Sequence, residues 1–201
     1  MTSQSLSPSL HSIQSPLPAQ TPLVEGLYLQ MVLDRSLPVM LPAPQLVEIL
    51  TVAIGQIVPI FHLPPWVAGV YNWRGEVLWI VDLNHLLGLT PWYEQANYSS
   101  KHTVVVLRET SSSKEKAIVG LVVNRVEEVV ECSAAQLHLL SGSKHESDFS
   151  DSLGSSLDFS SESLPVHFHQ FFIGYWQNEI APCHWLLNIA AILQKLSESS
   201  S

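Results

Sequence analysis

Four side chains in the last fifth of the chain are of metal-binding type. His167 and His169 are two residues apart, so a strand would put both imidazoles on one face, with Cys183 and His184 on a later strand. Imidazole and thiolate suit zinc or copper. The spacing matches no recognised chelate, and neighbours such as Cys183 and His184 point to opposite faces of a strand. The competing reading is ordinary packing, and a small metal-dependent enzyme using these four residues stays a distant alternative. Asp82 beside one of nine histidines would make a catalytic pair. No Gly-x-Ser-x-Gly elbow, Gly-rich phosphate loop or His-Glu-x-x-His accompanies it. No catalytic residue, no metal ligand and no cofactor is assigned.

Arg74 is a different kind of candidate. It stands beside Gly75 between two apolar alternating runs, Val67 to Trp73 and Glu76 to Asp82, which read as the arms of a hairpin. A guanidinium on a stiff turn can fork onto a partner's carboxylate or carbonyl. It can equally form an internal ion pair or be solvated. Gly69 and Gly75 permit tight turns or close backbone approach. Leu46, Val47 and Glu48 follow the Pro42-Ala43-Pro44 turn and read either as a groove wall or as core with Glu48 outside. The six tryptophans read mainly as core, with Trp92 and Tyr93 as the partly exposed pair.

Elements that would position these residues are mostly strands. Gly26 to Leu33, His102 to Leu107, Ala117 to Val123, Val126 to Glu131, Phe168 to Trp176 and Ala181 to Leu187 join the hairpin arms. They are short, rich in Val, Ile and aromatics, and punctuated by turn residues, which predicts a sandwich or barrel. Ala117–Val123 is apolar on both faces, with Ile118 and Val122 opposite Val119, Leu121 and Val123. Such a strand is covered by two packed layers. Leu83 to Leu87 predicts a helical turn that ends at Gly88. Asp82, just before it, is expected to be structural, its carboxylate accepting N–H bonds at the helix start. Ser133 to Leu140 reads as a second short helix. Asn188 to Leu196 reads as a third, with Ile189, Ile192, Leu193 and Leu196 on one face.

The 201 residues hold 46% hydrophobic and 13% charged side chains, enough for a core and too little charge for a wholly disordered chain. Nine basic against 18 acidic residues give a net charge of −9, which excludes a phosphate-backbone binder, so no nucleic acid partner is expected. No apolar run spans a bilayer, so no direct membrane insertion is expected. The first basic residue is Arg35, against a secretory or transit signal. Cys132 and Cys183 make no disulfide framework, consistent with a cytoplasmic location. Residues 1–24 are rich in Ser and Pro and read as a disordered tail, as do 197–201. The stretch 141–163 carries five acids against one base and reads as a flexible insertion.

Pro64-Pro65-Trp66-Val67-Ala68-Gly69-Val70-Tyr71-Asn72-Trp73-Arg74-Gly75, followed by Glu76 to Leu83 ending Val-Asp-Leu, resembles the signature of the CheW family of chemotaxis coupling proteins. Leu46 to Leu50, Leu86 to Leu89, Val119 to Val126, Phe172-Ile173-Gly174 and Leu186 to Ile189 resemble further family segments in the same order. Trp73 and Trp79 stand where the family usually has Leu and Pro, and Asn124 replaces a usual Asp. The resemblance implies a mainly β fold over 25–196: two small five-stranded, SH3-like β-barrel subdomains sharing a core, with a short C-terminal helix. Subdomain one would span about 40–95, and subdomain two 25–39 and 96–196. The resemblance also implies a non-enzymatic cytoplasmic adaptor. Its partners would be the cytoplasmic tip of a methyl-accepting chemoreceptor and the regulatory domain of a CheA-type histidine kinase. An adaptor of a type IV pilus twitching or phototaxis system is the alternative. The receptor-binding residues implied are Arg74, Gly69, Leu46, Glu48, Val119, Leu121 and Val123, and Gly75, Asp82 and Gly88 are structural.

Overall fold

Two antiparallel hairpins set the geometry of the molecule. In the computed structural model, which describes residues 25–96, 99–109, 117–140, 168–177 and 183–199, β4 (Val67–Trp73) and β5 (Glu76–Asp82) pair as the alternation predicts. Their connection places Arg74 at φ 55° and Gly75 at φ 87°. Two positive φ angles in a two-residue loop match the right-handed twist of the arms. Gly75 N also donates to Asn72 Oδ1 at 3.0 Å, closing the turn. The other hairpin, β1 (Gly26–Val32) with β2 (Pro38–Pro42), turns through Arg35 and Ser36, at φ 55° and 60°.

The remaining strands are β3 (Leu46–Ala53), β6 (Lys101–Arg108), β7 (Ile118–Val123), β8 (Arg125–Cys132), β9 (Leu137–Leu139), β10 (Phe172–Trp176) and β11 (His184–Leu187). They form two sheets, one of five strands in the order β3-β6-β7-β5-β4 and one of six in the order β8-β1-β2-β11-β10-β9. The fold is mainly β, as expected. The two sheets do not divide at residue 95, however. β6 and β7 belong with β3–β5, because β6 pairs antiparallel with β3 and β7 pairs parallel with β5. The division falls between β7 and β8, and the second sheet has six strands rather than five.

Each sheet curls around its own apolar cluster. Val52, Trp73, Leu78, Ile80, Val104, Val106 and Val122 fill the first, and Tyr28, Met40, Cys132, Ile173, Trp176 and Leu186 the second. A larger core lies between the sheets and includes Leu29, Met31, Val105, Val119, Leu121, Val123 and Trp185. β7 therefore faces apolar matter on both sides, which accounts for its unbroken hydrophobic sequence. On its barrel face stands Gly120, where an added Cβ would meet Ile80 Cδ1 and Val104 Cγ1 at 2.8 Å.

Among the described residues, two α-helices join the sheets. α1 (Leu83–Leu86) ends as predicted: Gly88 has φ 73°, its N–H donates to His85 O, and Leu89 N donates to Asn84 O. These two bonds satisfy carbonyls that the helix end would otherwise leave open. α2 (Ile189–Ser199) buries Ile189, Ile192 and Leu196 against the shared core, and Asn188 Oδ1 accepts from Ala191 N at its start. Ser197 to Ser199 continue this helix instead of fraying, with Ser197 and Ser199 Oγ donating to the Gln194 and Lys195 carbonyls. Ser133 to Leu140 is not a helix. A single 3-10 turn, Ala134–Gln136, leads into β9, which pairs with β10. The expected disordered segments 1–24 and 141–163 lie outside the described residues.

Candidate functional site

β3 and β4 are the two edges of the five-stranded sheet, and its curl brings them together. Val58 and Val70 exchange backbone bonds of 2.8 and 2.9 Å and close one part of the seam. Glu48 closes another. Its Oε2 accepts from Trp73 Nε1 at 3.0 Å and from Arg74 Nη2 at 2.9 Å. A bulge makes this possible: Leu46 opposes Leu107 while Glu48 opposes Val106, so one residue of β3, Val47, is extra. Bulges re-aim side chains.

Arg74 thus has the internal ion pair that was one of its two readings, yet its side chain keeps 69% exposure. Its guanidinium carbon lies 5.1 Å from the centre of the Trp73 ring. Carboxylate, indole and guanidinium form a small ordered cluster on the surface. Trp73 is the member that residue type did not single out as functional. Its place in a Trp-Arg-Gly turn was the available signal.

The other expected site residues divide. Leu46 is half-buried and packs against the shared core. Gly69 is buried and structural: its φ is 138°, and a Cβ there would lie 2.2 Å from Val58 O. Val119, Leu121 and Val123 are 0%, 0% and 2% exposed in the core between the sheets, so they are not surface residues; they face the six-stranded sheet. Of these residues, Arg74 and Glu48 remain together as an accessible pair.

Asp82 occupies the structural place expected of it. Its Oδ1 accepts from His85 N at 3.3 Å and its Oδ2 from Trp92 N at 3.0 Å. Burial pushes its carboxyl above the usual carboxylate range, against these bonds and the nearby His85, which pull it down.

Of the residues considered for metal binding, His167 lies outside the described residues and His169 belongs to a 3-10 turn (Phe168–Phe171) rather than to a strand. Cys183 is buried in the shared core, where desolvation pushes its thiol up to about 12. That environment disfavours the thiolate a metal ligand requires. His184 is buried and packs edge-on against Trp176, ring centres 5.5 Å apart. Among the described residues, no group of three His, Cys, Asp or Glu side chains is placed to hold a metal, and no helix is long and apolar enough to cross a membrane.

The CheW-like domain family matches residues 28–153, more than half of the chain. The protein belongs to that family, one of signal-transduction scaffolds in chemotaxis. Among solved structures, the fold is similar to that of the scaffolding protein TtCheW from Thermoanaerobacter tengcongensis. The TM-score is 0.57 at 14% identity, over 82% of this chain and 90% of that one. A comparison with curated proteins finds no match.

Proposed function

We propose that the protein is a non-enzymatic cytoplasmic adaptor that couples a methyl-accepting chemoreceptor tip to the regulatory domain of a CheA-type histidine kinase. The observation that carries this reading is the state of Arg74. It is held on a two-residue turn, oriented by Glu48 and Trp73, and still mostly exposed. One of its N–H groups is taken by Glu48, which leaves others to meet a carboxylate or carbonyl of a partner helix. Pre-organisation lowers the entropy lost on binding. In a chain of net charge −9, a fixed exposed cation is also a local attractor for an acidic partner. Two faces of a rigid β scaffold then bind receptor and kinase together and bias the kinase's conformational equilibrium.

The test is titration of wild type, Arg74→Ala and Arg74→Lys against a receptor-tip fragment and, separately, the kinase regulatory domain. Arg74→Ala is expected to weaken receptor binding by about 1–3 kcal/mol, the range for a lost charge-assisted bond, and to leave kinase binding unchanged. Arg74→Lys is expected to rescue only in part. Unchanged receptor binding with a lowered melting temperature would make Arg74 purely structural and end the assignment.

A further inference from the structure

We propose that a second, polar cleft at the opposite end of the five-stranded barrel from Arg74 docks an acidic peptide segment of a protein partner. The strand registers place the two sites apart. Glu76 and Ile118 begin the parallel pair β5 and β7 on the Arg74 side, whereas Asp82 and Val122 lie together at its far end. β6 runs antiparallel, so Lys101 and Thr103 reach that far end too, beside Val123. There the end of β7, the start of β6, α1 and the turn between β1 and β2 enclose a cleft of about 480 Å³.

Its charge runs against that of the chain. Arg35, Lys101 and Arg125, three of nine basic residues in a chain of net charge −9, line the cleft, and among the described residues Asp34 is the one acid lining it. Glu127 holds Arg125 Nη2 at 2.8 Å, leaving that side chain 67% exposed. A chain of amides runs through the site. Asn84 Oδ1 accepts from Asp34 N at 2.8 Å, Asn84 Nδ2 donates to Asn124 Oδ1 at 2.9 Å, and Asn124 Nδ2 donates to Gln95 Oε1 at 2.7 Å. Asn84 is 1% exposed, so the network is anchored in the core. Arg35 and Ser36, on the rim, both hold left-handed backbone without being glycine. That backbone is the ordinary geometry of a two-residue hairpin turn, and it fixes this rim of the cleft.

Lys101 begins β6 and Arg125 begins β8, so the two cations stand on separate strands around one open cleft. A ligand that carries several carboxylates along one chain can meet both, as an acidic peptide segment does. The inference uses none of the Arg74 cluster and stands or falls separately from the receptor assignment.

The test is fluorescence anisotropy with fluorescein-labelled hexaglutamate, and hexalysine as the opposite-charge control. Wild type is expected to bind hexaglutamate, less tightly as salt rises and the charges are screened. Lys101→Glu with Arg125→Glu is expected to weaken binding by about tenfold or more. Lys195→Glu on α2, away from the cleft, is expected to change it little. Lys101→Gln with Arg125→Gln serves if the reversed pair fails to fold, judged by its melting curve, and is expected to weaken binding in the same direction. Absence of hexaglutamate binding, equal loss in Lys195→Glu, or no loss in a folded cleft variant would overturn the proposal. Free glutamate competing as well as the peptide, residue for residue, would overturn the peptide assignment.

Discussion

Arg74 Nη2 lies 2.9 Å from Glu48 Oε2, joining the turn after one edge strand of the five-stranded sheet to the other edge strand. The two residues are 26 positions apart, and the bulge at Val47 brings them into register. Because the pair is exposed, its stability contribution is small, whereas its effect on where the guanidinium points is large. Arg74→Ala and Glu48→Ala are each expected to cost less than about 1 kcal/mol, with a double-mutant coupling of roughly 0.2–1 kcal/mol that fades at high salt. Glu48→Ala is expected to weaken receptor binding while Arg74 is intact, since it frees the cation from its fixed direction. Urea denaturation measures the first and receptor titration the second. A coupling of several kcal/mol, or full receptor affinity in Glu48→Ala, would contradict this account.

Gly69 tests whether a residue of the signature is contact or scaffold. Its missing Cβ leaves room for the Val58 carbonyl, which accepts from Val70 N at 2.9 Å across the barrel seam. Gly69→Ala is expected to destabilise the protein by about 1–3 kcal/mol or more, through overpacking plus an unfavourable φ. Any loss of partner binding should track the fall in melting temperature. Loss of binding at full stability would return Gly69 to the interface.

The hairpin carrying Arg74 was legible in the sequence because its signals are local: alternating arms, a two-residue turn, and a capping Asp before a short helix. β7 was legible as a strand covered on both faces because no polar residue interrupts it. What was not legible depends on pairing between distant segments. The parallel register of β5 with β7 moves the sheet boundary from about residue 95 to residue 124. Packing of β7 against the six-stranded sheet buries Val119, Leu121 and Val123, which the family resemblance had put among receptor contacts. The Glu48–Arg74 pair and the Asn84–Asn124 bond, 40 residues apart, have no local signature at all.

Both cysteines should be slow to react in the folded protein. Cys132 is fully buried inside the six-stranded barrel and its thiol is pushed up to about 11; that of Cys183 is pushed up to about 12. In each case the cause is desolvation, which disfavours the reactive thiolate. Labelling with a chromogenic disulfide at mildly alkaline pH is expected to be negligible in native buffer and to reach two thiols per chain in denaturant. Rapid native labelling of either would show that its sheet opens readily.

Asp82 should give the protein a pH dependence opposite in sign to that of a salt-bridged carboxylate. Burial raises its folded value above the ordinary one, so in the interval between the two the native state binds more protons than the unfolded state. Stability from this group therefore falls as pH rises through that interval, and the full cost of burying the charge is present above it. Below the ordinary value both states are protonated and the group contributes no slope. Asp82→Asn has no such titration, although its amide can accept from only one of His85 N and Trp92 N. The stability of Asp82→Asn relative to wild type is therefore expected to improve as pH rises from about 3 to about 7, other carboxylates cancelling in the difference. Asp82→Ala, which leaves both N–H groups unmatched, is expected to cost about 0.5–2 kcal/mol at neutral pH, as lost caps do. Urea denaturation of the three proteins across that range measures both effects. A relative stability of Asp82→Asn that worsens with rising pH would mean that the hydrogen bonds and His85 outweigh burial, and that Asp82 is held as a stabilised carboxylate instead.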